Sequence, residues 1–217
     1  MHSANPFNQQ DVDALTGLIK EFPLATLVAS SASGEIDADR IQAVHVPFVV
    51  GDCGSQLLLQ AHIAQANGWW RSVEPSSRVL AVFNGPNAYI TPNFYPTKQK
   101  HGRAVPTWNY AVVHVRGKIR FVEDKAWLSQ VIAKLTQQQE QNEKTPWSMD
   151  DAPPEYIERL LAAVIGIEVE VESITGQWKL SQNQPKENIA GVIEGLNETG
   201  CERHQEMARW ISAEQRD

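Results

Sequence analysis

The chain has 217 residues, 42% hydrophobic and 21% charged, with a formal net charge of -7. That length buries a sizeable core without covalent staples, and the composition is that of a globular protein, not a disordered one. The acidic balance disfavours broad electrostatic attachment to nucleic acid, because phosphate is repelled unless cations cluster on one face. Cys53 and Cys201 build neither a metal cage nor a disulfide framework, and no apolar run approaches the length of a membrane span. With no basic-then-apolar leader at the N-terminus, a soluble cytoplasmic protein is expected.

Val12, Leu15, Leu18, Ile19 and Phe22 recur at helical spacing and predict a first helix from Asn8 to Glu21, with Asn8 as N-cap and Pro23 as the stop. Leu24 to Ala29 reads as a buried strand, followed by a turn at Ser33-Gly34. Gln42 to Val50 alternates, with Val44, Val46, Phe48 and Val50 on one face and His45 on the other. With Ser55 to Ala61 it predicts an antiparallel hairpin across Gly51 to Gly54. His62 to Arg71 is predicted as a short helix. Arg78 to Phe83 is a strand, broken at Gly85-Pro86 and resumed over Ala88 to Thr91.

Pro92 to Pro106, with three prolines and the cations Lys98, Lys100 and Arg103, reads as a long loop. Trp108 to Val122 is the longest strand signal, with Gly117 a candidate bulge. Helices follow at about 124–141 and 154–163. In the strand from Val164 to Leu180, Ile165, Ile167, Val169 and Val171 alternate with Gly166, Glu168, Glu170 and Glu172. From Pro185 the tail reads as helical, with Gly200 as a break. Strands joined mostly by turns, with helices as insertions, argue for a largely antiparallel barrel and against a doubly wound sheet.

Familiar catalytic signatures are missing. There is no Gly-x-Ser-x-Gly elbow, no phosphate-binding Gly-rich loop, and no close pair among the six histidines. No catalytic residue and no metal ligand is singled out. Three polar clusters remain. His62, Asn67 and Arg71 flank a strand-to-helix junction, whose free N–H groups favour an anion; an ordinary turn is the competing reading. Trp108, Asn109 and Tyr110 open the long strand, and alternation sends the two aromatics to one face and the amide to the other. That combination suits a flat heteroaromatic ring, or else a closed barrel end. Lys179, Ser181, Gln182 and Asn183 concentrate a cation and uncharged donors, suiting a phosphate or polyol chain, or else a capped strand end.

Taken in order, the stretches His62-x-Ala64-x-x-Asn67-x-x-Trp70, Phe83-x-Gly85-Pro86-x-Ala88-Tyr89-Ile90, Val105-Pro106-Thr107-Trp108-Asn109-Tyr110, Val113-His114-Val115-x-Gly117 and Lys179-Leu180-Ser181-Gln182-Asn183 resemble the PaiB-like FMN-binding negative transcriptional regulators. These are relatives of the flavin-reductase and pyridoxamine-phosphate-oxidase split barrels. The resemblance implies a mainly β fold with helical insertions, a six-stranded antiparallel Greek-key split barrel over residues 1–183 with an insertion at about 124–163. A helical tail over 184–217 would pack on the barrel or on a dimer partner.

It further implies a homodimer with FMN at the subunit interface. His62 and Asn67 would lie near the phosphate and ribityl chain, and Trp108, Asn109 and Tyr110 near the ring. Lys179, Ser181, Gln182 and Asn183 would approach from the last strand. Several positions depart from the family pattern. Gln65 replaces a basic residue, Gly68 a proline and Phe94 a tryptophan, while Val44 opens the Val-His-Val-Pro stretch in place of threonine. The lost charge and hydroxyl each weaken anion binding by ~1 kcal/mol, so loosely retained FMN is expected.

Three functions follow. One is an FMN-binding regulator acting through flavin, metabolite or protein partner. Direct DNA contact is disfavoured by the acidic charge, the lack of a recognition helix and the single basic run at Lys98, Lys100 and Arg103. The others are an FMN-dependent oxidoreductase and a cofactor-free interaction module.

Overall fold

Asp11, not Asn8, opens the first helix of this computed structural model, which describes residues 6–30, 41–54 and 56–215 (the side chains of 52 and 53 excepted). Helix α1 spans Val12–Glu21, and Asp11 Oδ1 accepts from the N–H groups of Asp13 and Ala14 at 2.8 and 3.3 Å. Asn8–Gln9 instead form a two-residue strand, β1. The remaining strands are β2 (Leu24–Ser30), β3 (Ile41–Pro47), β4 (Val49–Cys53), β5 (Gln56–Ala64), β6 (Arg78–Ile90), β7 (Thr107–Val122) and β8 (Val164–Lys179). Helices α2 (Trp69–Ser72), α3 (Pro96–His101), α4 (Lys125–Glu140), α5 (Pro154–Leu161), α6 (Lys186–Glu198) and α7 (Glu202–Glu214) fall between and after them.

The sheet order is β3-β2-β6-β7-β8-β5-β4, with β1 added against β8. The pairings β1–β8, β2–β3, β2–β6, β4–β5 and β5–β8 are antiparallel. Six strands are expected from the sequence and eight are found among the described residues. The additions are β1 and a division of the second predicted strand, Gln42 to Val50, at Phe48, whose N–H leaves the ladder to donate to Pro23 O at 2.9 Å. The predicted turn at Ser33-Gly34 lies outside the described residues.

Two further expectations change. The segment at Gly85-Pro86 does not interrupt β6. The strand runs through, but Gly85 and Pro86 are both buried, so the inward positions switch from Val79, Ala81 and Phe83 to Ala88 and Ile90. An inserted residue in a bulge has this effect. The stretch after β6 is also no open loop: Pro92–Phe94 form a 3-10 turn capped by Thr91, and α3 follows, closed by Gly102 at φ 71°.

Backbone proximity divides the chain into two compact units, Met1–Leu15 with Asn84–Val113 and Thr175–Asp217, and Thr16–Phe83 with His114–Ile174. In the second unit Leu27, Phe48, Leu59, Phe83, Ile119, Ile165 and Ile167 are fully buried, with Phe48 and Phe83 edge-to-face at 6.0 Å. Helix α4 is capped by Asp124, whose Oδ1 accepts from Trp127 N at 2.7 Å. The carboxylate of Glu168 is buried and takes hydrogen bonds from Arg120 Nε at 2.6 Å and Gln60 Nε2 at 2.7 Å, tying β5, β7 and β8 together. In the first unit α6 lies on the 92–101 segment. The Oδ1 of its Asn188 accepts from the N–H and hydroxyl of Thr97. Gly200, at φ 67°, separates α6 from α7.

Gly117 is required by close approach, since a Cβ there would lie 2.2 Å from Glu170 O and 2.7 Å from Val169 Cγ1. Neither neighbour is the end of a flexible chain. Gly117→Ala is expected to destabilise the protein by about 1–3 kcal/mol in urea unfolding, the usual cost of overpacking. An unchanged midpoint would contradict this packing.

Candidate functional site

Strand β7 places Trp108, Asn109 and Tyr110 alternately, and the burial inverts what apolarity alone suggests. The amide of Asn109 is fully buried, while Trp108 keeps 48% of its surface exposed. Asn109 Nδ2 donates to Ser181 Oγ at 2.8 Å, and Asn109 Oδ1 has no partner among the described residues. Ser181 is itself buried and adopts φ 65°, a left-handed backbone uncommon for a residue with a Cβ. One buried side-chain hydrogen bond thus ties the start of β7 to the turn that ends β8.

Two more bonds join the same strands. Lys179 Nζ donates to Thr107 Oγ1 at 2.6 Å, and Tyr110 O–H donates to Gln177 Oε1 at 2.9 Å. Gln182 turns inward on its own turn: its Oε1 accepts from Leu180 N at 2.7 Å and its Nε2 donates to Trp178 O at 2.5 Å. Asn183 is exposed. Seven of the nine residues singled out by sequence therefore lie in one unit, all on one strand pair and the turn after it.

Strand β6 contributes two residues from a quoted family stretch, neither of which is among the predicted site residues. Trp108 Nε1 donates to Asn87 Oδ1 at 3.2 Å, and Tyr89, 49% exposed, meets the indole edge-to-face at 6.0 Å. Thr107 and Gln177 were missed as well. The available signal was the alternation of β6 after Gly85-Pro86, which carries Asn87 and Tyr89 to the side opposite Ala88 and Ile90.

His62 and Asn67 belong to the other unit. The predicted helix there is shorter: β5 continues to Ala64, and α2 starts only at Trp69. Asn67 is exposed and uses Oδ1 to accept from Trp69 N at 3.0 Å. Arg71 donates to Gln65 O at 3.2 Å and stacks 4.5 Å from the Trp70 ring centre. His62 pairs across the ladder with Gly166, and its Nδ1 has no partner among the described residues. Burial pushes its pKa below 6.5, favouring the neutral imidazole. Burial, with nearby positive charge including Arg116, does the same to His114. Among the described residues no His, Cys, Asp and Glu group of three or more is placed to hold a metal ion, and no helix is long and apolar enough to cross a membrane.

Residues 1–173 match the family model described as "Putative FMN-binding domain". The Bacillus subtilis strain 168 protein named protease synthase and sporulation protein PAI 2 is 28% identical over 208 residues, covering 96% of this chain and 95% of its own. An uncharacterized protein of Emericella nidulans is 33% identical over 226 residues, 89% of each chain. Among solved structures, the FAD and heme binding protein from Mycobacterium smegmatis aligns with a TM-score of 0.53 at 13% identity, over 84% of this chain and 78% of that one. At such identity the likeness is one of fold. The fold is the mainly antiparallel split-barrel class with added helices.

Asn109→Ala removes the donor held by Ser181 and opens a small void. A loss of about 1–3 kcal/mol in chemical denaturation is expected, and an unchanged stability would contradict the buried bond. His62 gives a pH signature of known sign. Its folded-state pKa is lowered, so below about 6.5 the unfolded chain binds more protons and stability falls as the pH drops. Melting temperatures between pH 7.5 and 5 should fall less steeply in His62→Gln; identical slopes would remove His62 as the cause.

Proposed function

The chain belongs to the PaiB-like family of FMN-binding proteins, and from that membership we propose that it works as a homodimeric flavoprotein regulator, its FMN lodged at the subunit interface. FMN is its cofactor. The residues present suit that group. The hydrogen-bonded set of Thr107, Asn109, Tyr110, Gln177, Lys179 and Ser181 holds one cation, three hydroxyls, two amides and no carboxylate. Asn109 Oδ1 remains a buried acceptor without a donor among the described residues, and the exposed Trp108 and Tyr89 offer aromatic surface to a flat ring.

In this reading Lys179 and Thr107 bind anionic or carbonyl oxygen, and Trp108 and Tyr110 flank the ring. Asn109 and Ser181 hold the turn that presents them, with Gln182 and Asn183 at its end. His62 and Asn67 take the phosphate and ribityl chain, His62 as a neutral donor. When bound, FMN supplies the redox chemistry, and the chain binds and orients it. The organisation that goes with this is a barrel over 1–183 carrying a helical tail over 184–217. The observation that carries the reading is the triple link Thr107–Lys179, Asn109–Ser181 and Tyr110–Gln177, which assembles two separated sequence motifs into one polar cluster.

Regulation is assigned to flavin or partner binding, without direct DNA contact. The net charge is -7, and two of the three cations in the one basic run are engaged: Lys98 donates to Asn93, and Lys100 pairs with Glu187. Such a surface holds phosphate backbones poorly.

FMN titration followed by flavin fluorescence should show saturable binding by a species of dimeric mass in gel filtration. Lys179→Ala should weaken binding about tenfold to a hundredfold, the loss expected for a charge-assisted hydrogen bond. No FMN binding by the parent protein would overturn the reading. Flavin-dependent NAD(P)H consumption would mark an oxidoreductase instead, and duplex binding with a steep salt dependence would mark a direct DNA binder.

A further inference from the structure

Tyr89 and Trp108 stand out because large aromatic side chains are seldom left half in solvent side by side in a folded protein. Both lie in the same unit as Lys179 and Tyr110, on the outward side of consecutive strands β6, β7 and β8. The indole is not loose. Its single N–H is spent on Asn87 Oδ1 at 3.2 Å, and the Tyr89 ring meets it at 6.0 Å with an interplanar angle of 64°. With its N–H edge held from β6, Trp108 still keeps 48% of its surface exposed.

The dimensions suit one class of occupant. Neighbouring strands lie about 4.8 Å apart, so Asn87 and Tyr89, Trp108 and Tyr110, and Gln177 and Lys179 span roughly 10 Å across three strands. That is the scale of a fused tricyclic ring, with a cation and a phenol at the far side for its polar edge. We propose that Asn87 and Tyr89 are positioning residues that fix the Trp108 indole as the stacking surface for the isoalloxazine ring. The inference rests on the flavin reading and adds to it the two β6 residues that make Trp108 a rigid platform. Asn87 acts only through the indole and touches no flavin atom.

An indole stacked on a flavin quenches its emission by electron transfer, which gives a readout independent of activity and of simple folding. FMN would be titrated into the full chain and into Asn87→Asp, Asn87→Leu, Tyr89→Leu and Trp108→Leu, with thermal melts run on each apo protein. The parent and Asn87→Asp, which keeps the acceptor for the indole N–H, should bind FMN and darken it. Asn87→Leu and Tyr89→Leu should bind roughly threefold to tenfold more weakly, matching the loss of one aromatic or edge contact, and leave the bound flavin brighter. Trp108→Leu should abolish the quenching while melting near the parent temperature.

If Asn87→Leu and Tyr89→Leu bind and quench like the parent, the platform is overturned while the flavin reading stands. If Trp108→Leu lowers the oligomeric mass and leaves quenching intact, the face is a contact between copies and the platform is overturned. If the parent itself binds no FMN, both fall together.

Discussion

The buried hydrogen bond from Asn109 to Ser181 is the contact on which the outward face depends. It lies wholly out of water, where an amide left without a partner costs far more than a surface bond contributes. It joins residues 72 positions apart, and it anchors Ser181 in a backbone conformation that a residue with a Cβ seldom adopts unaided. Lys179 stands two residues before this turn and Tyr110 one residue after the buried amide. Their positions on the solvent side are consequences of what is fixed beneath them.

The other unit is held by a different device. Glu168 is a buried carboxylate, and it is tolerated because Arg120 and Gln60 supply hydrogen bonds from two neighbouring strands. Arg78 and Glu172 form a second pair at 3.0 Å, largely in solvent, where such pairs contribute little. Gly117 lets β7 approach the β8 backbone beside them. One desolvated charge and one missing Cβ thus add to the register that the buried apolar residues of β5 and β8 already impose.

Much of the architecture was readable from the chain. The period-two run over Trp108 to Val122, the glutamates alternating with Ile165, Ile167 and Val169, the Asp124 helix start and the break at Gly200 all correspond to observed elements. Local chemistry decides these features, so local sequence reveals them. The facing of the motif at Trp108 was not readable in the same way. Alternation separates Asn109 from its aromatic neighbours but does not say which side is interior, and hydropathy points the wrong way. The amide goes inside because Ser181, distant in sequence, is there to accept from it. The same limit hid Asn87, whose role is defined by an indole 21 positions later.

The doubled inward step at Gly85 and Pro86 has a consequence of parity. Phe83 and Tyr89 are six positions apart, an even separation that places two side chains on the same side of a regular strand. Here Phe83 is fully buried and Tyr89 is 49% exposed. The solvent chemistry of this end of β6 is thus written in how many residues turn inward, more than in how polar they are. A change that let the segment straighten would exchange Asn87 and Tyr89 for Ala88 and Ile90 at the surface, erasing the aromatic pair without replacing either ring.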